Sequence, residues 1–292
     1  MRGGGPVTGS VEAPQGARQP GGPLHHDRYT RANNYDPKWV LDNQMGPNAL
    51  WLIEALCERL SISRGDRVLD LGCGRAMTSI FLAHEFGAEV WATDLWIDAT
   101  SNRDRILDAG VGDLVTPVHA EAHVLPYEEG FFDAIVSVDA YQYFGTSDLY
   151  IGYVTRFLRD GGRIGIVVPA VFEELCLGDG APTGHEQAGH TGVPEELAPY
   201  WDWEFCCFHG PDWWRRHWEK TSKVRVEVAD AIDDGWKDWL RFCEVALVGL
   251  DGSGRLEGWR EQAAKNEVAM LRADRGKLFG FTRVVGTKTR SS

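Results

Sequence analysis

Two hydrophobic rhythms alternate along this chain. Short apolar runs closed by a glycine or an acid read as buried strands, and longer segments with apolar residues every three or four positions read as helices. Val68, Leu69 and Leu71 make the first run, and residues 89–93, 114–119, 131–138, 163–168, 224–228 and 278–287 make the later ones. The helical rhythm is clearest over 49–60, where Leu50, Ile53, Leu56, Cys57 and Leu60 share a face. A helix starting near Ala76 carries Ile80, Phe81, Leu82 and Phe86, and further helices are predicted over 37–44, 97–109, 148–158, 213–220, 234–250 and 256–274. Strands alternating with helices imply a mostly parallel sheet covered on both faces. Pro117 puts the third strand near a sheet edge, because proline cannot donate to the ladder.

The first two strands end in polar chemistry. Asp70-Leu71-Gly72-Cys73-Gly74 closes the first, and its glycines let the backbone turn sharply. The helix that follows offers free N–H groups at its N-terminus. Asp94 ends the second strand, where it can accept two hydroxyl hydrogen bonds from a ribose. A nucleoside-containing cofactor follows. The dinucleotide fingerprint needs a third glycine where this chain has Met77, so the pyrophosphate signature is broken.

Three later blocks keep the order and spacing: Glu121-Ala122 before Leu125-Pro126-Tyr127, Phe131 to Asp139, and Leu158 to Val168. With these the chain resembles the class I S-adenosylmethionine-dependent methyltransferases, in particular the small-molecule group that includes ubiquinone and menaquinone methyltransferases. The resemblance covers roughly 65–169 and weakens toward the C-terminus. It implies a Rossmann-like sheet of seven strands with a final antiparallel strand, and S-adenosylmethionine (SAM) as cofactor with S-adenosylhomocysteine (SAH) as product. It puts Asp70, Gly72, Cys73, Gly74, Asp94, Leu95, Glu121, Ala122 and Asp139 at the cofactor. Asp70 would face the methionine ammonium. Glu121 would accept from the adenine amine, and the Ala122 N–H would donate to a ring nitrogen. Ala76 stands where many relatives have a third glycine.

Methyl transfer from a sulfonium gains mainly by proximity and orientation, so the sequence specifies a catalytic residue poorly. Ligands of open α/β sheets bind at the C-terminal strand ends. This brings Asp139, Tyr141 and Tyr143, just after the fourth strand, forward as candidate catalytic or acceptor-pocket residues, with core packing equally open to either tyrosine. Asp139 would hold an amine or act as a base, or else cap its turn.

Residues 172–222 exceed a minimal fold and read as an aromatic-rich lid with a mobile loop over 178–184. Trp214 and Trp218, one helical turn apart, suit packing. Trp201, Trp203 and Trp213 suit packing and substrate contact equally. His185 and His190 are five apart, which misses the zincin spacing of four. No metal is expected; His185, His190 and His209 are candidate bases, and His119 and His123 are assigned structural roles.

The net charge of −13 argues against a nucleic-acid partner, which needs a basic surface. The six cysteines form no C-x-x-C pair, in keeping with reduced thiols and a cytoplasmic location. Residues 1–25 are rich in glycine and proline and carry no secretory apolar segment; they are expected to be disordered, with the methyltransferase domain spanning 26–292. No run is apolar enough to cross a membrane. The function expected is methylation of a small-molecule acceptor at oxygen, nitrogen or activated carbon. The alternatives are another transferase of the same fold, such as an aminopropyltransferase, and a non-catalytic SAM binder. The acceptor and the oligomeric state are not legible.

Overall fold

The computed structural model describes residues 21–173, 192–252 and 256–289. After the short helices α1 (Pro37–Asn43) and α2 (Ala49–Cys57), strands and helices alternate. They run β1 (Arg67–Leu71), α3 (Met77–Phe86), β2 (Glu89–Asp94), α4 (Ala99–Asp108), β3 (Val115–His119), β4 (Phe132–Val138), α5 (Tyr150–Val154) and β5 (Leu158–Val171). The chain continues through α6 (Pro211–Glu219), β6 (Val224–Ala231), α7 (Gly235–Val248), α8 (Trp259–Asp274) and β7 (Phe279–Lys288).

The seven strands form one sheet in the order β3-β2-β1-β4-β5-β7-β6. The first five pair in parallel. β7 enters between β5 and β6, antiparallel to both. The expected sheet and its final antiparallel strand are therefore present, and Pro117 lies on the edge strand β3. The chain lays β2 and β3 on one side of β1 and then crosses to β4 on the other. That switch point opens a crevice beyond the ends of β1 and β4, where open α/β sheets bind ligands.

Strand residues alternate between two cores. Val68, Ala134, Val136 and Val167 face the core shared with α2 and α3. Leu69, Ile135, Ile166 and Val168 face the one capped by α5 and α6. Trp214 and Trp218 are fully buried in the second core, as their spacing predicts. Two elements outrun the sequence pattern: β5 continues to Val171 and β6 to Ala231, because β7 supplies ladder partners over both extensions. α5 is shorter than predicted; its last turn tightens to a 3-10 helix over Thr155–Phe157.

Local chemistry fixes the elements around the crevice. Asn48 caps α2 by accepting from the N–H groups of Leu50 and Trp51, a bond type worth about 1 kcal/mol. Ala76, just before α3, has φ +59°, a left-handed value that glycine adopts more readily. Arg283 on β7 is buried and holds Asp230 through two bonds (3.0 and 2.8 Å), Glu58 at 3.0 Å and the Ala55 carbonyl at 2.6 Å. Of the segment expected to be disordered, residues 1–20 lie outside the described residues. Leu24 at its end is buried, and Arg241 donates to the carbonyls of Pro23 and His25. No helix among the described residues is long and apolar enough to cross a membrane.

Candidate active site

A cavity of about 360 Å³ opens at the switch point, within the roughly 300–1,000 Å³ usual for small-molecule sites. Its wall combines the Gly72–Gly74 turn, the end of β2, residues 120–123, the end of β4 and the loop between α1 and α2. Gly72, Cys73, Gly74, Asp94, Leu95, Glu121, Ala122, Asp139 and Tyr143 all lie on it. Asp70 and Tyr141 do not.

The glycine turn is held from three sides. The N–H groups of Gly72 and Cys73 both donate to the Thr93 carbonyl (2.8 and 3.1 Å). Gly74 donates to Asp94 Oδ2 at 2.8 Å, and Asn102 Nδ2 donates to the Gly74 carbonyl at 2.9 Å. Gly72 (φ +75°) and Gly74 (φ +52°) are left-handed. A Cβ on Gly72 would overlap Ala140, and one on Gly74 would stand 3.0 Å from Met45 Sδ. Protein, not open crevice, fills the space both glycines leave.

Asp94 turns its carboxylate to the cavity but is heavily engaged. Oδ1 accepts from Trp96 (2.7 Å) and Ile97 (2.9 Å), and Oδ2 from Gly74. A carboxylate has about four acceptor positions, so these three N–H groups leave about one. The expected pair of ribose bonds requires one backbone bond to open.

Asp70 lies beneath the turn, fully buried. Its Oδ2 accepts from Thr78 Oγ1 and Ser79 Oγ, both at 2.6 Å, and Oδ1 has no partner among the described residues. Burial pushes this carboxyl up to about 6, against the pull of the two hydroxyls. Asp70 secures the first turn of α3 from beneath, and Thr78 stands on the wall.

At the far end Glu121 grips His123, with Oε2 on its N–H (2.9 Å) and Oε1 on Nδ1 (2.7 Å). This bond holds the Glu121 carboxyl below its ordinary range. The Ala122 carbonyl accepts from Tyr150 OH at 3.0 Å, and the Leu95 carbonyl from His119 Nε2 at 2.8 Å. Both histidines serve the loops. Burial raises the Cys73 thiol well above its usual range, which removes it as a nucleophile.

Asp139 ends β4 with φ +53°. Its N–H donates to the Val167 carbonyl at 2.8 Å, and Gln142 Nε2 donates to its Oδ1 at 3.3 Å. The carboxyl is pushed up to about 7, first by burial and then by the charges of Glu267 and Glu204. Gly46 packs directly against it; a Cβ there would overlap Asp139 Oδ2. Tyr143 stands half-exposed on the wall and donates to Glu204 Oε2 at 3.0 Å. Of the two roles open to Tyr141 the structure shows packing: it is fully buried against Trp214 and Trp218, with ring centroids at 5.6 and 5.8 Å. The 3-10 turn Tyr141–Tyr143 explains the split, since neighbours on so tight a turn point different ways.

Of the lid aromatics, Trp201 packs on Phe205 and Phe279, whereas Trp203 is 77% exposed. Trp213 stacks between His209 (3.6 Å) and His217 (4.4 Å). His185, His190 and the loop 178–184 lie outside the described residues. Among those described, no His, Cys, Asp and Glu side chains cluster as metal ligands. Gly46, Asn102 and Glu267 are not among the residues the sequence puts forward; Gly46 packs on Asp139, Asn102 tethers Gly74, and the charge of Glu267 acts on Asp139.

Residues 68–162 match the protein family described as "Methyltransferase domain". The chain is similar to methyltransferase GfsG of Streptomyces halstedii, with 34% identity covering 43% of this chain and 49% of that protein. It is also similar to a sarcosine/dimethylglycine N-methyltransferase of Halorhodospira halochloris, with 30% identity covering 40% of each. The chain thus spans half or less of the length of these relatives. Among solved structures, phosphoethanolamine N-methyltransferase 2 of Haemonchus contortus in complex with SAM shares the fold: the TM-score is 0.67 at 18% identity, over 91% of this chain and 59% of that one.

Proposed function

We propose that this protein transfers a methyl group from SAM to a small-molecule acceptor. One observation carries the reading: the wall of a single cavity contains the tethered glycine turn of β1, the acid ending β2 and the acid ending β4. The residues suit the cofactor. Glu121 and the Ala122 backbone line the end fit for a nucleobase, Asp94 keeps about one acceptor position for a ribose hydroxyl, and Thr78 at the start of α3 faces the remaining part. When bound, the sulfonium supplies an electrophilic methyl carbon.

The chain's own residues then bind and orient. The loop between α1 and α2 brings Met45 against Gly74 and Gly46 against Asp139, so it fixes both sides of the cavity at once. Asp139 stands at the β4 end, where the acceptor must enter. With its carboxyl near neutrality it takes a proton from the acceptor at physiological pH, the condition a general base needs. Tyr143, fixed by Glu204, walls the acceptor side.

Calorimetry with SAM and SAH tests the cofactor assignment. Saturable binding of both is expected, and absence of binding to the folded protein overturns the reading. Labelled SAM incubated with a metabolite extract then detects transfer.

A further inference from the structure

The β4 side of the cavity is rich in acceptors and poor in donors. Asp139 and Tyr143 lie on the wall, and Glu204 receives the Tyr143 hydroxyl. Glu267 on α8 is fixed by Trp239 Nε1 (2.9 Å) and Cys243 Sγ (3.1 Å). These carboxylates repel one another: Glu267 and Glu204 both raise Asp139, and Glu204 also raises Glu267, for which burial is the larger cause. Among the described residues none of the three pairs with a lysine or arginine. The stretch 174–191 contains neither residue type. Gln142, fully buried, gives one amide N–H to Asp139 and leaves Oε1 without a partner. The Tyr143 hydroxyl proton and one Gln142 N–H are thus committed, while three carboxylates share this side without a cation among the described residues and Gln142 Oε1 has no donor.

Resting on the methyltransferase reading, we propose that the acceptor is an amine, entering as a cation between Asp139 and Glu204 with Glu267 adding to the field and the Tyr143 ring to the contact. A ligand ammonium supplies the missing donors and charge, and an aromatic face attracts it further. A hydroxyl or a flat neutral acceptor would leave the carboxylates uncompensated, which is costly away from water. The reaction balances. One proton passes from the ammonium to a carboxylate oxygen of Asp139. The freed nitrogen lone pair forms the N–CH₃ bond, and the S–CH₃ bond pair stays on sulfur. The methylated nitrogen again carries the positive charge.

The test uses SAH-loaded full-length protein, titrated calorimetrically with choline and with its uncharged carbon isostere, 3,3-dimethylbutan-1-ol. Choline is expected to bind at least about tenfold more tightly. The double variant Glu204→Gln/Glu267→Gln should lose at least about tenfold in choline affinity while SAH affinity stays within about twofold. Equal binding of both probes, or binding of neither to a protein that still binds SAH, overturns the amine assignment. Failure of SAH itself to bind refutes the methyltransferase reading instead. A misfolded double variant shows as lost SAH binding, and the comparison of the two probes on the wild type still decides.

Discussion

Gly46 and Asp139 are in direct contact across the cavity, the glycine's missing Cβ making room for an oxygen of the acid. Asp139 is thereby positioned by a residue on the loop before α2. Gly46→Ala should cost about 1 kcal/mol, since the obstructed atom ends a short side chain that shifts. In an Asp139→Ala background the same change should cost almost nothing. Denaturant unfolding of the four proteins in this cycle measures the coupling; additive costs would show that the contact carries no energy.

Asp139 should set the pH dependence of transfer. Its active form as a base is the carboxylate, and its folded value is raised to about 7. The kcat/KM for the acceptor, which reports the free protein, should therefore be low in acid, rise through about pH 7 and level off above it. Asp139→Asn should lower the rate by roughly 10²–10⁴-fold and flatten this limb, with SAH affinity little changed. A wild-type profile already level at pH 5 would remove Asp139 as the base.

Asn102 should matter to cofactor binding without touching the cofactor. It is buried on α4, and its amide holds the Gly74 carbonyl. Asn102→Ala leaves that carbonyl with only the weak Cys73 Sγ donor at 3.7 Å, at a cost of about 1–3 kcal/mol shared between stability and SAM affinity. Calorimetry and thermal unfolding together measure the two shares. Unchanged values in both would mean the turn holds without this tether.

Asp70 should make the cofactor-free protein less stable as pH rises. Its folded value, about 6, lies above the unfolded 3.8, so the native state keeps the proton longer. Its contribution is complete below about pH 4 and is lost through about pH 6, a total on the order of 3 kcal/mol. Asp70→Asn keeps an oxygen for Thr78 and Ser79 and should gain on the wild type across that window. Parallel stability curves for the two proteins would contradict the assignment.

The features legible in the sequence are local ones. β1, β2 and β4 announce themselves as apolar runs, and their terminal acids and glycines follow in register, so Asp94, Gly72, Gly74 and Asp139 could be assigned to the cavity. What the sequence hid depends on contacts across it. Asp70 faces inward because hydroxyls on the next helix claim its oxygen. Tyr141 and Tyr143 are indistinguishable until the turn between them tightens. Glu267 and Gly46 reach Asp139 from helices and loops far from it in the chain. The extra length of β5 and β6 reflects β7, whose partners no periodicity specifies.

The position of β7 also orders events during synthesis. It lies between β5 and β6, yet a ribosome releases it after every other strand of the sheet. Until it emerges, β6 has no ladder neighbour, the outer side of β5 is an open edge, and Asp230 and Glu58 lack the arginine that joins them. The nascent chain therefore carries unpaired edges on β5 and β6 until β7 has emerged, the feature that invites association with other chains. Arg283 then ties β7 to α2, whose preceding loop lines the cavity, so the strand that joins the sheet last also braces an element laid down before β1.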